Sequence, residues 1–62
     1  MTELDERIRR AAKMIKILRR QPDNTAAHEA AKQLETILNG TLRARRMGKA
    51  ESVLLKRLEW AA

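Results

Sequence analysis

Apolar residues recur along this chain at helical spacing, and they form more stripes than one small core can use. At about 100° per residue, Leu4, Ile8, Ala11, Ile15 and Leu18 fall on one face of a first helix. Ile17 points about 140° away from that face, with Met14 between. A middle stripe of Ala27, Ala30, Ala31, Leu34, Ile37 and Leu38 leaves nothing apolar on its far side. In the C-terminal segment Met47, Leu54, Leu58 and Ala61 share a face, while Val53 and Trp60 stand about 120° to the side. These periods predict an all-α fold, a small three-helix bundle with helices over about 3–20, 25–39 and 42–60. Leu34, Leu54 and Leu58 are expected in its core.

Local signals agree with that division. Thr2 is placed to cap the first helix, and Glu3, Asp5 and Glu6 favour the positive end of its dipole. Glu3 with Arg7, Asp5 with Arg9, and Glu6 with Arg10 are acid-before-base pairs at i,i+4. Pro22 stops the helix, because the residue before proline is pushed out of the α region. Asn24 or Thr25 is expected to cap the second helix. Asn39-Gly40 reads as its stop and Thr41 as the cap of the third. A competing stop is Gly48, preceded by Arg43, Arg45 and Arg46. With that stop, helix two would run from about 25 to 46 and a short third helix would start near Lys49.

Length and composition narrow the function. Sixty-two residues make one domain with a thin core, since a chain of this size buries only about 60% of its unfolded surface. With no cysteine, disulfides, thiol catalysis and a cysteine-based metal site are excluded. No apolar run approaches a membrane span, and the acidic N-terminus does not read as a secretory signal, so a soluble protein is expected. A formal charge of +6 favours acidic partners. Trp60 is the only aromatic residue, which leaves no platform on which successive bases would stack.

The residues that might carry catalysis are isolated. His28 is the only histidine and lies on the polar side of helix two, without the second histidine a metal site would need. Ser52 is the only serine, with no base at helical spacing from it. Gly40 and Gly48 form no phosphate-cradling motif. No enzyme, metal, cofactor or small-molecule substrate is expected. Arg43, Arg45 and Arg46 with Lys49 make a compact basic cluster that suits phosphate or an acidic protein surface. Ala30-Ala31-Lys32-Gln33-Leu34 followed by Thr41-Leu42-Arg43 is similar to the helix-turn-helix of bacterial regulators. It lacks the turn glycine after Leu34, however, and the spacing to Thr41 is too long.

The leftover stripes carry the functional expectation. Met14 and Ile17 are flanked by Arg10 and Lys13, and Val53 and Trp60 by Lys49, Lys56 and Arg57. Helices one and three are neighbours in a three-helix bundle, so the two stripes are expected to merge into one apolar patch ringed by cations. Methionine, tryptophan and arginine are enriched at interfaces. Three capped helices, short loops, no cysteine and an extra stripe on two adjacent helices make the whole chain resemble designed three-helix miniprotein binders. That resemblance implies a binding surface on one helix pair. The expectation is therefore a protein-binding module for an acidic partner or a second copy, with Trp60 as anchor. The alternative is a small basic nucleic-acid-binding regulator, dimeric and helical.

Overall fold

Thr2 opens the first helix by a reciprocal cap. In the computed structural model, which describes residues 1–62, the Asp5 amide donates to Thr2 Oγ1 at 3.1 Å and the Thr2 hydroxyl donates to Asp5 Oδ2 at 2.9 Å. The helix, α1, spans Glu3–Arg19. The chain reverses through Pro22 and a left-handed Asp23 (φ +56°). Asn24 then caps α2, accepting the Ala27 amide on Oδ1 at 3.0 Å. That choice is one of the two the sequence left open.

The second helix does not break at 39–41. α2 spans Thr25–Arg46, passing through Asn39 and Gly40. Thr41, expected as the cap of a third helix, is instead buried within α2, its hydroxyl donating to the Ile37 carbonyl at 2.8 Å. The physical reason is continuity of the buried face. Thr41 and Ala44 extend the stripe of Ala31 and Leu38, and burying them outweighs the roughly 1 kcal/mol that Gly40 costs inside a helix. The stop comes at Gly48, whose φ of +83° is the left-handed conformation that glycine adopts cheaply. The Gly48 amide donates to the Arg45 carbonyl and the Lys49 amide to the Ala44 carbonyl, both at 3.1 Å. These are the paired bonds of a Schellman cap.

A later stop for α2 leaves a shorter third helix than expected. α3 covers only Glu51–Arg57, without a side-chain cap, and passes through Leu58 into a 3-10 turn at Glu59–Ala61. Seven residues are too few for a helix to persist alone. α3 is held by Leu54, Leu58 and Ala61, all buried in the shared core. It is also held by Arg7, whose guanidinium donates to the Leu55 carbonyl at 3.0 Å.

α1 and α2 form an antiparallel hairpin, tied at one end by Asp5 to Arg45 (2.8 Å) and at the other by Arg19 to Glu35. Of the three i,i+4 pairs expected on α1, only Glu3–Arg7 forms, at 3.2 Å. Asp5 is occupied by Thr2 and Arg45, so Arg9 has no claim on it. Leu54 and Leu58 are buried as expected, whereas Leu34 is only half-buried. Met47, expected on the inner face of helix three, is the residue that closes α2 and stands 72% exposed.

Two predictions follow from these ends. Gly40→Ala should stabilise the fold by about 0.5–1 kcal/mol, since alanine is the better helix former and its Cβ would meet only the far end of Arg57 at 4.0 Å. Gly48→Ala should destabilise it by about 1–2 kcal/mol through the left-handed backbone alone, because the site is open. Urea denaturation of both variants reads the pair, and opposite signs to these would restore a helix stop at Gly40. The second concerns Asp5, whose carboxyl is held below its ordinary value by the Thr2 hydroxyl and then by Arg45. A carboxylate depressed in the fold adds stability that is present above its unfolded pKa, near 4, and is lost as pH falls through the folded value. The gap in thermal midpoint between the native chain and Asp5→Asn should be full at pH 6 and close below about pH 4. A gap independent of pH would show that the charge on Asp5 does not matter.

Candidate interaction surface

The hairpin is longer than the helix packed against it. At 1.5 Å per residue α2 is about 33 Å long and α1 about 25 Å, while α3 with its 3-10 turn reaches about 16 Å. Leu55 lies beside Arg7, and Arg57 reaches Gly40. α3 therefore covers the half of the hairpin that holds the start of α1 and the end of α2. The 3-10 turn rests on α1 and α3 and makes no backbone approach to α2. Beyond it, the third layer stops.

Exposure follows that boundary. On the α3-facing row of α2, Ala44 and Thr41 are buried, Ile37 is 42% exposed, and Leu34 and Ala30 are half-buried. On α1, Leu4 and Ala11 are buried, Met14 is 38% and Ile17 51% exposed, and Leu18 is half-buried. Ile37 was read as part of the apolar stripe of the middle helix. Its place on the wheel is as expected, but no third helix reaches it. The signal that bears on it is the Gly48 stop, which fixes where α3 begins on the hairpin.

The predicted partner residues are dispersed along the molecule. Val53, 46% exposed, lies on the first turns of α3, level with the start of α1 and about 14 Å along the axis from Met14. Val53 is thus set apart from Met14, whereas Trp60 belongs to the 3-10 turn that rests on α1. Trp60 is half-buried against the core, its indole N–H donating to the Arg57 carbonyl at 3.0 Å. Arg10, Lys13, Lys49, Lys56 and Arg57 are exposed, and none is in an ion pair. Lys49 lines a shallow hollow with Thr2, Leu4, Arg45, Glu51 and Leu54, at the opposite end of the hairpin from Ile17.

The remaining polar residues serve the backbone or the seam between helices. His28 Nε2 lies 2.7 Å from the Gln21 carbonyl, which ties α2 to the linker before it. An open groove of about 350 Å³ runs along the other α1–α2 seam, where Arg19 and Glu35 pair beside Ala12, Ile15 and Asn39. No three His, Asp or Glu side chains gather where a metal could sit. No family model, curated protein or solved structure matches this chain.

Trp60 divides its surface between the core and solvent, and its substitution reads both. Full burial of tryptophan would make truncation cost about 3–5 kcal/mol, so a half-buried ring should cost about 1.5–2.5 kcal/mol in Trp60→Ala. Chemical denaturation measures this directly. A loss below about 0.5 kcal/mol, the range of an ordinary surface change, would mean that the ring does not support the core.

Proposed function

We propose that this chain is a non-catalytic protein-binding module that engages an acidic partner through α1 and the α3 segment. One observation carries the reading. The molecule exposes 4677 Å², about 600 Å² more than a compact monomer of 7.1 kDa, for which the expected area is about 4,100 Å². Its excess is partly apolar, with Met14, Ile17, Ile37 and Val53 standing out from the helices. A standard interface takes about 800 Å² from each partner. The bordering cations Arg10, Lys13, Lys56 and Arg57 have no acid of their own, which suits a negatively charged surface. Methionine and isoleucine supply area, and Trp60 a partly fixed aromatic edge.

The competing use of the same charge is nucleic-acid binding through Arg43, Arg46 and their neighbours, and salt separates the two. Binding to a labelled 20-base-pair duplex, followed by fluorescence anisotropy, should fall steeply with log[salt] and vanish near 0.15 M, as for phosphate contacts alone. A tight, salt-resistant complex with one duplex or hairpin would replace this reading with a nucleic-acid-binding regulator.

A further inference from the structure

The open half of the hairpin has the shape of a place for a helix. Below it, α3 lies between α1 and α2 and buries Ala11, Thr41 and Ala44. Above it, the same two rows continue with Met14 and Leu18 on α1, and Ala30, Leu34 and Ile37 on α2; Met14 and Ile37 are exposed, and the other three are partly covered. The radius of gyration, 12.1 Å, exceeds the roughly 10.6 Å of a compact chain of this length. The molecule measures 39 × 20 × 15 Å, so its excess is length, as a hairpin with half of one layer missing requires. Both rows line the groove only as far as α1 runs, so subtracting the reach of α3 from α1 leaves about 9 Å, between one and two helical turns.

The edges of this groove differ in charge. Arg10 and Lys13 stand along the α1 side, and Arg57 lies at its foot over Gly40; all three are unpaired. The α2 side is bordered by Gln33 and Thr36, with Glu29 toward the far end. We infer that the open end of the hairpin receives the apolar face of one amphipathic helix from an acidic partner, with its carboxylates along the edge facing α1. This rests on the protein-binding reading and names the partner's chemistry. A second copy is the poorer occupant. It would bring another net +6 chain against the unpaired Arg10, Lys13 and Arg57, and like charges in register oppose association.

The test uses the full chain, isotope-labelled for NMR, and two end-capped 14-residue peptides. Both have leucines at i, i+3, i+4 and i+7; one carries glutamate on its flanks and the other lysine. The glutamate peptide should shift the Met14, Leu18, Leu34 and Ile37 resonances and bind at least about tenfold tighter than the lysine peptide. Ile37→Asn should weaken it by about tenfold while leaving the far-ultraviolet circular dichroism unchanged, since Ile37 lies outside the core cluster. Equal binding of the two peptides would overturn the acidic character of the occupant. Self-association that Ile37→Asn abolishes would assign the groove to a second copy and overturn the inference. Shifts confined to Val53 and Lys56 would also overturn it, yet leave the protein-binding reading standing on the outer face of α3. With no shifts at all the groove fails as a helix receptor, and the salt titration above judges the broader reading separately.

Discussion

The left-handed turn at Gly48 sets where the third layer begins along the hairpin. α2 takes 22 residues before it stops, and the seven residues of α3 with a three-residue 3-10 turn follow. A helix can bury a stripe only over the length of whatever lies against it. Half of the α1–α2 hairpin is therefore a full three-layer bundle around Leu54 and Leu58, and half is two helices held together by Ile15, Ala27, Ala31 and Leu38. The exposure of Ile37 and Met14 follows from this mismatch in length, with no special local structure behind it.

Small side chains make that two-layer half possible. Ala27 and Ala31 on α2 let the helices approach closely, so the hairpin can persist beyond the reach of α3. Charge closes it at the edges, with Arg19 to Glu35 at one end and Asp5 to Arg45 at the other. Exposed pairs of this kind contribute little singly. Their geometric role is to fix the register, which in turn decides which face of each helix is left bare. No buried side-chain polar atom lacks a partner, and the buried Thr41 hydroxyl satisfies itself within its own helix.

The architecture was legible wherever one local signal acted alone. Thr2 and Pro22 each mark an end without a rival, Asn24 competes only with its neighbour Thr25, and each end stands where they put it. Between residues 39 and 48 two credible stops competed. Asn39-Gly40 is the stronger dipeptide, but Thr41 and Ala44 continue the buried face beyond it, and tertiary burial decides between them. From that one boundary came the other differences: Met47 outside, Leu34 half-covered, Ile37 exposed. Exposure of Ile17 and Val53 was readable from the wheel, since both point away from the buried faces. Their separation along the axis was not, because a wheel projects out the length of the molecule. The pairing of Asp5 with Arg45 was equally hidden, since it spans forty positions.

The contact of Arg7 with the Leu55 carbonyl joins residues 48 positions apart, the widest separation of any side-chain hydrogen bond in the molecule. The hairpin can form from local contacts, whereas α3 has no separate existence until it docks. Undocking and unwinding of α3 are then one event. Amide hydrogen exchange in α3 would report the docking equilibrium itself, while exchange in the middle of α1 and α2 would report the loss of the hairpin. Each excursion of α3 uncovers Leu54, Leu58 and the far half of the same rows, so the apolar track between α1 and α2 doubles in length for as long as the small helix is away.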